Sequence, residues 1–307
     1  MNNNQLFHFN TITEYHRAAG LPKPAHPLIS LVHMHDLNRP LAEGSFSLIY
    51  DFYSISMKRV QNARFKYGQQ TSDFDEGVLF FMSPGQVFGM EIEKDAIFHR
   101  PEGWMILIHP DFLWNTPLAK AIKQYEFFNY SVNEALYLSE KEETMLSNIA
   151  QNIEQEYYAN IDRFSQSVII AQLELLLTYS ERFYQRQFIT RKIANHEILI
   201  KLEDLLSAYF NNGTLAKQGL PSVTYIAENL NISAGYLSSL LKSLTGQNTQ
   251  QHLHNKLIEL AKEKLSTTNL TVSEIAYELG FEHLQSFSKL FKTKTSLSPM
   301  EFRHSFN

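Results

Sequence analysis

VSEIAYELGFEHLQSFSKLFKTKTSLSPMEFR, residues 272–303, decides how this chain is read. Its front half is echoed 49 residues earlier, where Val223, Ile226, Ala227 and Leu230 match Val272, Ile275, Ala276 and Leu279. Its rear half is echoed at a spacing of 50: Leu237, Ser238, Leu240, Leu241, Lys242 and Thr245 match Phe287, Ser288, Leu290, Phe291, Lys292 and Thr295. One inserted residue separates the two blocks. Self-similarity at a fixed spacing marks one supersecondary unit used twice.

Each copy has the pattern of two helices joined by a tight turn. A small residue, Ala227 or Ala276, lets the second helix approach the first. Four residues on stands Asn231 or Gly280, residue types that tolerate the left-handed conformation a sharp turn needs. Ile232 or Phe281 then plugs the corner. A second helix follows, with its apolar stripe at Leu237, Leu240, Leu241 and Leu244, or at Phe287, Leu290 and Phe291. The residues expected outward are Ser233, Tyr236, Ser238, Ser239 and Lys242 in the first copy, and His283, Gln285, Ser286, Lys289 and Lys292 in the second. These types suit double-stranded DNA. Lysine donates to guanine N7 and O6, glutamine pairs bidentately with adenine, and serine or tyrosine holds phosphate or a base edge. Any solvated helix also shows a polar face; the duplicated turn is what favours DNA as the reading.

Between the copies, TQQHLHNKLIELAKEKLSTT (249–268) reads as a helix with Leu253, Leu257, Leu260, Ala261 and Leu265 on one side. About seventeen helical residues at ~1.5 Å each span roughly 25 Å. Such a strut holds two helices so that they enter successive major grooves, ~34 Å apart, on one face of DNA.

The stretch from about 195 to 307 resembles the C-terminal DNA-binding domain of AraC/XylS-type bacterial transcription regulators. Ile275, Ala276, Gly280, Phe281, Phe287, Ser288, Phe291, Lys292, Pro299 and Arg303 stand where that family's second-motif pattern expects them. The resemblance implies a seven-helix unit with two helix-turn-helix motifs bridged by a long helix. Three residues depart from it. Ser296 stands where glycine is usual, so the exit turn needs another geometry or accepts strain; Leu257 replaces a common arginine; Leu241 replaces a frequent phenylalanine. HEILIKLEDLLSAYF (196–210) is expected to be the domain's first helix. The segment 211–222 is longer than a usual helix connection and is open to three readings: contact with DNA, contact with the other domain, or mobility.

The whole chain has 307 residues and a formal charge of −5, a length that suggests two domains. It contains no cysteine, which excludes disulfides, thiolate metal sites, iron–sulfur clusters and cysteine nucleophiles. The charge is split unevenly. Placing the joint near residue 190 gives 15 basic against 22 acidic residues before it, a net −7, and 12 against 10 after it, a net +2. The C-terminal part is the better candidate for a polyanion.

The first part, to about residue 110, reads as short strands at 28–34, 46–55, 77–83, 87–92 and 103–109, separated by turn residues, and suggests a small antiparallel barrel or sandwich. From Asp111 the pattern turns helical. Ser139 and Glu142 have capping-box spacing ahead of a stripe at Met145, Ile149, Ile153 and Tyr157. A helix over 164–185 carries Val168, Ile169, Ile170, Leu173, Leu175, Leu176, Leu177 and Phe183, more than one face holds. It covers the barrel, and a dimer seam is the sharper reading.

The resemblance extends this to an architecture. The expected fold class is α+β: a cupin-like β-barrel with flanking helices as a sensory and dimerisation domain (1–189), then an all-α DNA-binding domain (190–307). It implies a regulator that is not an enzyme, a homodimer, RNA polymerase as a partner, and a small-molecule effector of unspecified identity in the barrel. No cofactor and no metal are assigned. No targeting or membrane-spanning segment is evident, so the expected compartment is the cytoplasm. The rival reading is a cupin-type metal-dependent enzyme or ligand-binding protein. It rests on His33 and His35 sharing one strand face, with Glu43, after Pro40, and His99 or His109 completing the site. The aromatic residues Phe46, Tyr50, Phe52, Tyr53, Phe80, Phe81, Phe88, Phe98, Trp104 and Trp114 either form the core or line an apolar pocket.

Overall fold

A computed structural model describes residues 5–37, 41, 44–59, 66–67, 70–71, 77–92, 102–130, 134–159, 162–190, 192–211 and 214–305. It divides into two compact units, Met1–Gln187 and Phe188–Asn307. The class is α+β, with the strands in the first unit and helices alone in the second.

The first unit runs β1 (Gln5–Phe9), α1 (Ile12–Ala19), β2 (Ile29–His33), β3 (Gly44–Tyr50), β4 (Tyr53–Arg59), β5 (Lys66–Tyr67), β6 (Gln70–Thr71), β7 (Gly77–Met82), β8 (Val87–Ile92), β9 (Glu102–Ile108), α2 (Leu118–Ala121), β10 (Leu136–Tyr137), α3 (Glu140–Tyr158) and α4 (Ser165–Thr190). Helix α4 extends three residues past the unit's last residue. Two main sheets form, ordered β1-β3-β8 and β10-β7-β4-β9-β2, beside the short β5-β6 pair. Phe46, Leu48 and Tyr50 of β3 share one core with Val32 of β2 and Met105 and Leu107 of β9, so this core lies between the two sheets; Ile12, Tyr15 and Ala19 of α1 complete it. Register alternation sends Trp104, Ile106 and Ile55 to the opposite face of the larger sheet. There Trp104 Nε1 donates to Ser147 Oγ of α3 at 3.3 Å. Arg186 of α4 binds Glu142 at 2.7 Å and the Tyr137 carbonyl at 2.7 Å, pinning both helices to β10. His16 of α1 is buried, donating from Nδ1 to the Pro22 carbonyl and meeting Ser30 Oγ through Nε2. Burial lowers its pKa, and the Pro22 bond opposes the shift.

Several expectations shift. The run 46–55 is two strands, because the chain bends at Asp51 and Phe52 to pass from one sheet to the other. Strand β1 was not anticipated; it pairs in parallel with β3, a contact between residues about forty apart that local pattern does not reveal. The run from Asp111 begins as a short 3-10 turn, Pro110–Leu113. On α3 the buried stripe is Leu146, Ile149, Ala150, Ile153 and Tyr157, and Met145 is exposed. A strict four-residue spacing drifts around a 3.6-residue helix, and mixed steps of three and four keep to the buried face. Val168 and Leu175 of α4 are exposed, while Ile169, Ile170, Leu173, Leu176, Leu177 and Phe183 are buried. Trp114 is also exposed, and Phe98 lies outside the described residues. Among the described residues no helix is long and apolar enough to cross a membrane.

The second unit runs α5 (Lys192–Asn211), α6 (Thr214–Gln218), α7 (Val223–Asn229), α8 (Ala234–Thr245), α9 (Thr249–Thr267), α10 (Val272–Glu278), α11 (Leu284–Thr295) and α12 (Pro299–His304). It has two cores. One gathers Leu202, Leu206, Ile226, Ala227, Leu237, Leu241 and Leu253. The other gathers Tyr209, Leu215, Leu257, Ile258, Ala261, Leu265, Ile275, Ala276, Leu279, Phe287 and Phe291. The arginine-to-leucine departure at Leu257 is therefore a core residue. Leu244, expected in the first stripe, is exposed at the last turn of α8.

Both predicted turns are left-handed, with φ of 56° at Asn231 and 76° at Gly280. The departure at Ser296 is resolved by strain: it takes the same left-handed cap, φ 65°, that Gly246 takes fifty residues earlier at φ 74°. The duplication also reaches further than the sequence pattern showed. Thr245 and Thr295 each bridge back to the carbonyl four residues before, and Asn248 and Ser298 each open a capping box, with Gln251 and Glu301. Within the long segment 211–222 the described residues hold α6. Gly219, just past α6, is fixed by a 3.0 Å bond from Tyr209 Oη to its carbonyl. It lies under the second turn, where a Cβ on Gly280 would stand 2.6 Å from the Leu215 oxygen and 2.9 Å from Gly219 Cα.

Gly280→Ala therefore combines left-handed strain with a backbone clash, and is expected to cost about 2–4 kcal/mol. Gly246→Ala meets nothing within 4 Å and is expected to cost only about 1–2 kcal/mol. Chemical denaturation of the full chain checks the order; equal losses would contradict the contact.

Candidate nucleic-acid interface

The surface in question is carried by α8 and α11, the second helix of each motif. Their inner faces are fixed by Leu237, Leu240 and Leu241 in α8, and by Phe287 and Phe291 in α11, all buried. What is left over on the outer face depends on how each helix starts. Ser233 caps α8, its Oγ accepting the Tyr236 N–H at 3.1 Å. His283 occupies the equivalent place before α11, makes no side-chain cap bond, and is exposed.

The second motif presents all five of its expected residues: His283, Gln285, Ser286, Lys289 and Lys292 are exposed. Lys294 adds a further exposed cation in the last turn, where positive charge complements the helix dipole. The first motif presents less. Lys242 is exposed and Ser239 is half-buried. Tyr236 is a correction: only 6% exposed, its ring packs edge-on against Phe188 at 5.2 Å. Periodicity placed it outward because Phe188 is distant in sequence and invisible to a local pattern. Ser238 is likewise drawn toward α9, its hydroxyl 3.0 Å from that of Thr249. A further exposed residue of α11, besides Lys294, escaped the reading of the sequence. Leu284 begins α11 as a large apolar side chain on a polar face, 38% exposed.

Two of the acidic groups near these helices, Glu274 and Glu301, are tied up in caps. The Thr271 N–H and hydroxyl bind Glu274 at 2.7 and 2.8 Å, holding its carboxyl below the usual range at the start of α10. The Ser298 N–H does the same for Glu301 ahead of α12. Partial burial lowers the His254 pKa, with the Lys294 charge adding to the effect.

The histidines of the rival metal site are used otherwise. His33 closes β2 and its Nε2 meets Glu154 Oε1 of α3 at 2.8 Å. His35 lies beyond the strand in a 3-10 turn, stacked on His33 at 5.1 Å, so the pair is not built by strand alternation. His109 Nδ1 accepts the Asp111 N–H. Pro40, Glu43 and His99 lie outside the described residues. Among the described residues no group of three potential ligands is placed to hold a metal.

Paired helix-turn-helix motifs with one polar, basic reading face define a DNA-binding transcription regulator, and comparison with known proteins agrees. Residues 226–305 match the helix-turn-helix domain family. The HTH-type transcriptional regulator YfiF of Bacillus subtilis is 26% identical over 83% of this chain and 77% of its own. The lactose operon transcription activator of Staphylococcus xylosus is 24% identical over 79% and 80%. The solved C-terminal domain of the response regulator yesN from Fusobacterium nucleatum is 32% identical over 33% of this chain and 96% of that one, at a TM-score of 0.29. The chain thus carries a C-terminal AraC-type helix-turn-helix domain, and the curated proteins it resembles along most of its length are transcription regulators.

Tyr236→Ala is expected to lose about 3–4 kcal/mol of stability as a truncated core aromatic, whereas Gln285→Ala stays within about 0.5 kcal/mol as a surface change. Denaturant unfolding of both variants checks this. Comparable stability would return Tyr236 to the surface.

Proposed function

We propose that this regulator reads specific DNA through α8 and α11, using Ser233, Ser239, Lys242, His283, Gln285, Ser286, Lys289 and Lys292, and that it does so as a homodimer under the control of a small molecule held between the two sheets of its first unit. The observation that carries the first part is the exposed polar row of α11, His283, Gln285, Ser286, Lys289 and Lys292, on a helix whose other face buries Phe287 and Phe291. Ser233 contributes through phosphate, since its hydroxyl oxygen already caps α8. Domain roles follow: residues 1–189 sense and dimerise as a cupin-like unit, and 190–307 bind DNA. The compartment is the cytoplasm, where DNA is reached, and RNA polymerase is the partner through which an activator of this family would work.

Support for the dimer comes from Val168 and Leu175, apolar and exposed one above another along α4. Support for the effector comes from the intersheet face of β4. By register, Ser54, Ser56 and Lys58 share the face of Leu107 and Met105, which places polar groups beside an apolar core. Lys58 lies 5.7 Å from the Phe80 ring centre, and burial lowers its pKa. The lactose operon activator among the relatives is consistent with control of metabolic genes. A ligand shifts such a regulator only by the difference in its affinity for the two arrangements.

A genome-wide binding map, made with and without candidate metabolites, tests the proposal. It is expected to return one motif whose occupancy changes with an effector. On a duplex carrying that motif, Gln285→Ala and Lys289→Ala are each expected to weaken binding by about 1–3 kcal/mol. Lys242→Ala and Lys292→Ala should reduce the salt dependence, the slope of log K on log salt, by about one each. Unchanged affinity and site preference in all four would overturn the interface.

A further inference from the structure

The two reading helices are copies in backbone and opposites in side chains. Along α11 the positions Leu284, Gln285, Ser288, Lys289 and Lys292 fall at steps of 0, 1, 4, 5 and 8, one strip of helix surface. The same strip on α8, fifty residues earlier, reads Ala234, Gly235, Ser238, Ser239 and Lys242. Short side chains fill its first four places. On α11 the strip begins with a leucine that takes no part in the unit's cores, which draw Phe287, Leu290 and Phe291 from the same helix. Leu284 is left 38% exposed between exposed His283 and exposed Gln285.

A large apolar side chain at that position is informative about the DNA it faces. The N-terminal residues of a recognition helix are those that reach base edges. In the major groove every base edge is a pattern of hydrogen-bond donors and acceptors, with one apolar exception, the thymine C5-methyl group. A leucine pressed against cytosine N4 or guanine O6 strips water from a polar group and returns no hydrogen bond, which is costly. Against a thymine methyl it buries apolar surface on both sides. Its neighbour Gln285 carries the one amide on α11 that can pair with both adenine N6 and N7.

We propose that Leu284 and Gln285 together specify two adjacent A·T pairs, Leu284 seated on a thymine methyl and Gln285 paired with an adenine. The inference rests on the DNA-reading role of α11 proposed above and deepens it to the base. Selection is both attractive and repulsive: the methyl is gained on thymine, and a polar edge is left unpaired on a G·C pair. The strip of α8 offers no amide at this place and at most the single methyl of Ala234, since Gly235 has no side chain.

Deoxyuridine differs from thymidine by that methyl alone, so it isolates the contact. On a duplex carrying the mapped motif, each thymine is replaced in turn by deoxyuridine and the affinity of the full chain is measured. At one thymine the wild-type protein is expected to lose roughly threefold to fivefold, the value of one buried methyl. Leu284→Ala is expected to bind the thymine and deoxyuridine duplexes equally. Because Leu284 is outside the cores, this variant should melt as the wild type does. Gln285→Ala should lose its preference for adenine at the adjacent pair by tenfold or so. Specific binding in which no thymine matters, or in which Leu284→Ala keeps the same deoxyuridine penalty, overturns the inference and leaves the interface standing. Absence of any sequence-specific binding overturns the interface itself.

Discussion

One helix has to serve two cores. Helix α9 gives Leu253 to the core of the first motif and Leu257, Ile258, Ala261 and Leu265 to that of the second. Its nineteen residues at ~1.5 Å each make a strut of roughly 28 Å. Because both ends are packed, the strut cannot lengthen, bend or rotate without opening a core, and interiors packed to crystal density resist that. The spacing and relative orientation of α8 and α11 are thus set by apolar burial. The residues facing outward are free to be chosen for chemistry.

That separation of labour explains where the polar groups sit. Caps such as Ser222, Ser233, Thr271 and Ser298 satisfy the helix starts, and their acidic partners, Glu274 and Glu301, are consumed there. What remains exposed on α11 carries lysine, glutamine, histidine and serine. The excess of +2 in this part of the chain is small, twelve basic residues against ten acidic ones. Weak net charge gives little affinity for DNA of arbitrary sequence, so specificity has to come from a matched site and, as proposed, from a dimer.

Much of the second unit was legible because its determinants are local. The left-handed turns at Asn231 and Gly280 follow from residue type and spacing, and the buried stripes follow from helical period. What escaped was set by contacts distant in sequence. Tyr236 looks outward on a helical wheel until Phe188 covers it; Ser238 looks free until Thr249 arrives; the second reason for glycine at 280 is invisible until α6 packs beneath the turn. In the first unit the strand positions were legible from strand-forming residues and the turns between them, but the break at Asp51 and the parallel partner of β3 were not. Pairing in a sheet is decided by the partner strand as much as by the strand itself. Leu284 fell in neither the buried stripe nor the polar row read from the sequence, and only its exposure singles it out.

If α9 sets α8 and α11 into successive grooves on one face of DNA, each bound chain touches two neighbouring stretches of the duplex. Hydroxyl-radical footprinting combined with major-groove methylation interference, on the mapped site with the full chain, tests it most directly. For each bound chain, two patches of major-groove interference centred about ten base pairs apart on the same face are expected. A single patch per chain, or two patches on opposite faces of the duplex, would contradict it.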